Sequence, residues 1–385
     1  MTDMDYPLKF PIDEKVKEFL ISSIERSYKI HEIDIVDDRI SVTFDEEVHE
    51  QDFSQLIKKL LYIAKSINRD VLFENSRERP YAENPMQHLE KTGDVIKVAD
   101  GMFLLQGTFW KLFRFFNDYW RNRGLEYGAI EQEYPVLWPI ELYRKINYFV
   151  DFPQQVILST TVKDNFAARD EFAKQYSKER DYETVEVNRL MAASRFGLQS
   201  SVCDTCYYAL EGRTNFPNTV FTTYNKVFRN ESSKIDSLDR LVNYSVRDIM
   251  FVGDRDFVLT LRQQMIDESI RFLEFLDLDS KIEAANDPFF TNDSAIKNVF
   301  QSTSSLKHEI LAHLNFSGTY LSIGSINLHL DFFSRAFNIR LPEGTYAFSG
   351  CLGIGFERLV YALYCQYGHD IAAWPDSLRE KLELT

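Results

Sequence analysis

The sequence predicts an α+β protein: a domain built on an antiparallel sheet with helices against it, preceded by a small α/β appendage. Three observations carry that expectation. Residues 219–229 and 242–252 read as long strands joined by the polar loop 230–239, a connection open to antiparallel neighbours. Residues 321–331 alternate polar and apolar side chains as a strand with one buried face does. The stretch SGCLGIGFERLVYAL, residues 349–363, reads as a glycine-rich turn (350–355) running straight into an apolar helix.

In chain order, residues 16–28 carry Val16, Phe19, Leu20 and Ile24 at helical spacing, 39–44 alternate as a strand, and 53–67 form a second amphipathic helix. Charges and turn residues then cluster over 74–85 as a linker. The expected units are an appendage over 1–80 and a main domain over 90–385. The appendage shows no chemistry and suits docking or dimer support. From residue 95 the texture turns aromatic, with helices over 104–119 and 139–145 and a charged one over 164–180. There is no internal repeat.

Length and composition bound the rest. A 385-residue chain with 44% apolar and 14% aromatic residues, and only 15 Gly and 11 Pro, has ample material for a core. The net charge of −15 argues against a broad nucleic-acid surface. No apolar run reaches membrane-spanning length, so no membrane partner is expected. The beginning MTDMDYPLKF lacks the profile of a secretory signal, and four cysteines in so long a chain are no disulfide framework. A cytoplasmic location is the simplest expectation.

The chemistry gathers in a few segments. Gly353 and Gly355 let the backbone approach a ligand, and Arg358 in the first helical turn adds a guanidinium to a helix start, which suits a polyphosphate. The spacing Gly353-x-Gly355-x-x-Arg358 resembles a dinucleotide fingerprint, but arginine stands where a third glycine would. In VFRNE, Arg229 and Glu231 share a strand face; Arg229 can clamp a carboxylate or phosphate bidentately, and an edge ion pair is the plainer alternative. Tyr244, Val246 and Asp248 share a face of the returning strand. Ser325, Asn327, His329 and Asp331 share a face too, lining either a substrate pocket or solvent, and His329 alone reads as structural. Cys203 and Cys206 invite a redox or structural-zinc reading but lack a second pair, and Cys365 reads as core.

Tyr134-Pro135, the arginine of VFRNE and the GIGFER segment resemble, in order, motifs 1, 2 and 3 of the class II aminoacyl-tRNA synthetases. More narrowly, VCDTCYYALEG, FRNE with RLVNYSVRDIMFVG, SINLHLDFFSRAFNI, SGCLGIGFERL and the tail HDIAAWPDSLRE resemble the amino acid:[carrier protein] ligases. Those are relatives of the atypical archaeal-type seryl-tRNA synthetase that lack its tRNA-binding domain. The resemblance covers residues 95–380 and implies a class II aminoacyl-tRNA synthetase-like antiparallel sheet.

It further implies that Arg229 holds the ATP α-phosphate and the amino-acid carboxylate, that Glu231 meets the adenine or the amino acid, that Tyr244 stacks on adenine, and that Arg358 holds the γ-phosphate. Magnesium and a zinc ion are implied, the zinc on Cys203, Asp248 and Cys351. Asp248 stands where the family has Glu, and Ser322 where class II enzymes usually carry an acid; the 230–239 loop offers Lys234 for pyrophosphate. The implied activity is ATP-dependent activation of an amino acid and transfer to the phosphopantetheine thiol of a holo acyl or peptidyl carrier protein. A homodimer through residues 112–135 is implied, and tRNA is not the expected acceptor. The alternatives are tRNA aminoacylation of the atypical seryl type and a regulatory paralogue without catalysis.

Overall fold

Leu20, Ile24, Ile40, Phe44, Phe53 and Ile57 are each at most 1% exposed and form a core separate from that of the remaining chain. In this computed structural model, residues 2–8, 12, 14–25, 27–36, 39–64, 70–176, 188–230, 236–285 and 306–384 are described. Around the first core, strands β1 (Thr2–Pro7), β2 (Ile30–Val36) and β3 (Arg39–Phe44) form an antiparallel sheet in the order β1-β3-β2. The helices Glu14–Glu25 and Glu50–Ala64 pack with it. The second helix starts three residues earlier than its apolar spacing suggests, with Glu50 and Asp52 in its first turn, where acids favour a helix start. An ion pair between Arg240 and Glu25, 3.4 Å apart, ties this unit to the rest.

Residues 71–75, which the sequence assigns to the appendage, form strand β4 (Val71–Asn75) and pair with the edge of the main sheet. The expected linker therefore begins inside a strand. Arg77 and Arg79 fasten the following segment to Asp277, at 2.7 and 3.1 Å. Five residues with one inward phenylalanine carry too weak an alternation to be read locally.

The chain continues through the hairpin β5 (Val95–Ala99) and β6 (Met102–Leu105), then the short β7 (Ile130–Glu131). A small sheet of β8 (Leu137–Pro139), β9 (Leu158–Ser159) and β10 (Phe196–Leu198) follows. The long strands are β11 (Thr219–Phe228), β12 (Asn243–Gly253), β13 (Ser280–Ala284), β14 (Lys307–Leu314), β15 (Thr319–Leu330) and β16 (Phe348–Gly355). The main sheet has eight strands in the order β4-β13-β14-β15-β16-β12-β11-β7. All neighbours are antiparallel except β7, which runs parallel to β11.

The helices Gly107–Glu126, Arg255–Leu276 and Phe356–Tyr367 cover one face. Their aromatic side chains, Phe116, Trp120 and Phe272 among them, pack edge to face and are at most 1% exposed. Strand β12 shows how the two faces divide. Ser245 bonds Glu357 and Arg247 bonds Asn117 on the helical side, while Tyr244, Val246 and Asp248 look into a cavity on the other. No helix among the described residues is long and apolar enough to cross a membrane.

The expected turn over 350–355 is instead the central strand β16, paired on both sides. Its glycines serve close packing, not a bend. A Cβ on Gly350 would lie 2.3 Å from the Phe251 ring and 2.7 Å from the Asn327 carbonyl oxygen. Gly350→Ala is therefore expected to destabilise the fold by about 1–3 kcal/mol in urea unfolding.

A second expectation concerns acid stability. His308, 3% exposed, accepts from Arg262 at 2.9 Å. Burial and that guanidinium lower its pKa to about 4. The native state thus binds fewer protons than the unfolded chain below pH 6.5, and stability falls as pH drops from there toward 4. Unfolding measured at pH 7 and pH 5 should show a loss of about 2 kcal/mol attributable to this group, absent in His308→Gln.

Candidate active site

On the open face, the strands and two short helices, Cys203–Ala209 and Phe332–Phe337, enclose a cavity of about 1030 Å³. Arg229, Tyr244, Ser325, Asn327, His329, Cys203, Asp248, Cys351 and Arg358 all line it. Two arginines distant in the chain lie beside one ring. The Arg229 guanidinium lies 5.6 Å from the centre of the Tyr244 ring, and that of Arg358 lies 5.8 Å from the same ring. Arg229 donates to the Ser200 carbonyl at 3.1 Å, and Arg358 to the Ser322 carbonyl at 3.4 Å. Arg358 Nε is buried without a hydrogen-bond partner. Glu231 and Lys234 lie outside the described residues.

The floor of the cavity is built by register. Asn327 lies opposite Cys351 across β15 and β16, and its amide donates to Cys351 Sγ at 3.5 Å. Cys203 enters from the start of its helix. Its thiol donates to Asp204 Oδ1 at 3.6 Å. The adjoining Cys203 thiol, with His329 and Asn327 nearby, holds the Cys351 thiol well below its usual range. The proximity of Cys351 and burial push Cys203 up. Burial, and then the negative charge at Cys351, raise the Asp248 carboxyl well above the carboxylate range. Burial lifts Asp204 to about 6 and Cys206 to about 12. Cys206 is therefore an ordinary buried thiol, and Cys365 is fully buried core, as its sequence context suggests.

Among the described residues, the group that could hold a metal is Cys203, His329 and Cys351, whose ligand atoms all lie within 4.8 Å of one another. Two sulfurs and an imidazole suit zinc. His329, expected in the pocket wall, takes the third place in that group. Asp248, to which the resemblance assigns the metal, lines the same cavity beside Cys203 and Cys351, its Oδ1 close enough to Gly353 that a Cβ there would come within 2.6 Å of it. Ser325 and Asn327 bond each other at 3.1 Å on the same wall. Asp331 is engaged by Arg335 at 2.7 Å at the rim.

Sequence reasoning missed Lys307 and Glu309, an ion pair at 3.1 Å in the wall on β14. Their i, i+2 spacing marks a shared face, but only the pairing of Glu309 with Ser325 aims that face inward. The Tyr207 hydroxyl, 3.2 Å from His329 Nδ1, left no local signal.

Among solved structures, the chain is similar to the seryl-tRNA synthetase of M. kandleri, solved with A. aeolicus tRNASec. The TM-score is 0.72 at 17% identity, over 99% of this chain and 77% of that one. The fold is that of a class II seryl-tRNA synthetase. A serine-tRNA ligase from Naegleria fowleri, solved with AMP, also aligns, with a TM-score of 0.63 at 11% identity, covering 87% of this chain and 72% of that one. In sequence, an amino acid–[acyl-carrier-protein] ligase of Bradyrhizobium diazoefficiens is 33% identical over 157 residues, 41% of this chain and 46% of that protein. The chain thus matches about half the length of that relative. The type-2 serine–tRNA ligase of Methanococcoides burtonii is 23% identical over 90% of this chain and 70% of its own length. No protein-family model matches.

The ionisation pattern has a chemical consequence. In chelator-treated protein near pH 7, limiting iodoacetamide should label Cys351 before Cys206 and Cys365, because the thiolate is the nucleophile. Peptide mapping by mass spectrometry checks the order; equal labelling would contradict it.

Proposed function

We propose that the protein condenses an amino acid with ATP to an aminoacyl-adenylate and passes the acyl group to the phosphopantetheine thiol of a holo acyl or peptidyl carrier protein. The observation that carries this reading is the pair of guanidinium groups flanking Tyr244 in the cavity that also holds Cys203 and Cys351. A nucleotide base stacked at Tyr244 would set its phosphates between two cations. The amino-acid carboxylate then attacks the α-phosphorus, forming a P–O bond as the bond to pyrophosphate breaks. Such a displacement needs alignment and charge neutralisation more than covalent help. Arg229 holds the carboxylate and α-phosphate, Arg358 the terminal phosphate, and Ser325 and Asn327 shape the pocket. Magnesium accompanies the triphosphate, and Glu231 assists on the adenine or amino-acid side. In the second half-reaction the thiol sulfur attacks the acyl carbon, AMP leaves, and a thioester results.

A zinc ion on Cys203 and Cys351, completed by a third group from the neighbouring strands, would take the substrate's neutral amino group at an open position and so select an α-amino acid. The 33% identity to a carrier-protein ligase supports this reading. We also infer a homodimer in the cytoplasm: Ile130, on the edge strand β7, is 54% exposed, and Leu125, at the end of the preceding helix, is 39% exposed. The appendage and the main domain remain the proposed working units.

The longer match to a type-2 serine–tRNA ligase favours tRNA aminoacylation as a second reading. Two assays decide. Pyrophosphate exchange into ATP should proceed with one or a few amino acids and fall roughly 100-fold or more in Arg229→Ala and in Arg358→Ala; no exchange with any amino acid would leave a non-catalytic role. Label should then reach a holo carrier protein and not tRNA. Label on tRNA alone would reverse the choice.

A further inference from the structure

Resting on the zinc reading above, we propose that the third protein ligand of the metal is His329 and not Asp248, giving a Cys203–His329–Cys351 centre with its fourth position open to the cavity. His329 Nε2 lies 3.7 Å from Cys351 Sγ, and the donor atoms of all three residues lie within 4.8 Å of one another. Ligands on a tetrahedral zinc, with Zn–S about 2.3 Å and Zn–N about 2.0 Å, stand roughly 3.5 Å apart. The three side chains need only small rotations to close on an ion.

Strand β15 is shaped to deliver the imidazole. Its pairing with β16 shifts between Leu328 and Leu330, so His329 is the extra residue of a bulge. Leu330 takes the left-handed conformation, with φ of 54°, which a leucine adopts only under constraint. Bulges of this kind re-aim side chains beside active sites. The ring is then held in one orientation. Its Nδ1 lies 3.2 Å from the Tyr207 hydroxyl and 3.4 Å from that of Ser349. Tyr207 in turn donates to the Gly350 carbonyl at 3.5 Å, which leaves its oxygen to accept from Nδ1–H. That chain turns the Nε2 lone pair toward the sulfurs, as outer partners of metal-bound histidines do. Phe333, with its ring centre 4.9 Å away, meets the imidazole edge to face.

Asp248 also approaches the centre, beside the Cys203 backbone N–H and Cys351, but its oxygens fall outside the group whose ligand atoms all lie within 4.8 Å of one another, and aspartate is one methylene shorter than the glutamate that the resemblance leads one to expect. Charge favours the histidine as well. Two thiolates neutralise a divalent ion, so a neutral imidazole leaves the buried centre uncharged, and a neutral substrate amine keeps it so. A carboxylate would leave a net negative charge on the buried centre.

X-ray absorption on the zinc-loaded wild-type protein tests this without any variant. The expected spectrum has two sulfur ligands and the outer-shell scattering of one imidazole. Zinc titration should show affinity falling roughly tenfold or more in His329→Asn and changing by less than about threefold in Asp248→Asn, with circular dichroism confirming that both variants fold. Two sulfurs with an oxygen ligand and no imidazole, or zinc lost from Asp248→Asn while His329→Asn keeps it, would overturn the assignment. Folded wild-type protein that takes up no zinc would overturn the zinc reading itself, a distinct outcome from a zinc centre with the wrong third ligand.

Discussion

The register of β15, β16 and β12 is the constraint on which the cavity depends. Ser325, Gly353 and Asp248 lie level across the three strands, and Asn327 and Cys351 lie level one step on. A slip of one residue would turn every one of these side chains to the helical side and fill the cavity face with aliphatic groups. Two features resist the slip. The glycine at 350 accepts the Phe251 ring where no other residue could. On the helical face, Glu357 accepts from the Ser245 N–H at 2.9 Å and from its hydroxyl at 2.8 Å, with Lys226 at 3.1 Å. Glu357 precedes Arg358, and Ser245 follows Tyr244. One buried carboxylate therefore fixes the distance between the arginine and the ring it faces.

That coupling sets basic groups into the cavity of an acidic chain. The net charge is −15, yet the cavity walls carry Arg229, Lys307, Arg335 and Arg358 among Asp151, Asp204, Asp248, Glu309 and Asp331. Arg229 and Arg358, placed by strand and helix ends and each donating an N–H to a backbone carbonyl, are preorganised before any ligand arrives. On the proposed reading, these two guanidinium groups meet the triphosphate.

How much of this was legible in the sequence follows from the range of the interactions. Alternation identified Ser325 and Asn327 as one wall and Tyr244 with Asp248 as another, because a strand's own period fixes its faces. The pairing of 219–229 with 242–252 followed from the polar loop between them. The role of 350–355 did not. Glycines before a helix look like a turn, and only the strands on either side, with the Phe251 ring against Gly350, reveal a packed centre. β4 was hidden for the same reason, since its partner lies some 200 positions away, as the Arg79 to Asp277 contact across 198 residues shows. The approach of His329 to the two cysteines was illegible too. It depends on a bulge at residue 329, and a bulge is a property of two strands, not one.

The floor of the cavity also bears on what kind of group it was built to meet. Cys203, Cys351, Asp204 and Asp248 are all buried there. Without a cation, the four cannot all ionise: the Cys351 thiol is drawn well below its usual range by its neighbours while Cys203 beside it is pushed up. A disulfide would remove that charge but leave the imidazole and the Asn327 amide aimed at a sulfur with little to accept. A divalent ion resolves the conflict better, because both sulfurs can then ionise and the amide bond to Cys351 strengthens. Arg229 is close enough to influence Asp248 directly. On the proposed reading, a neutral metal centre and a fixed guanidinium thus stand side by side, one suited to an amine and the other to a carboxylate. That spacing discriminates by the distance between two functional groups on one carbon, and it leaves the side chain to be chosen by the shape of the remaining wall.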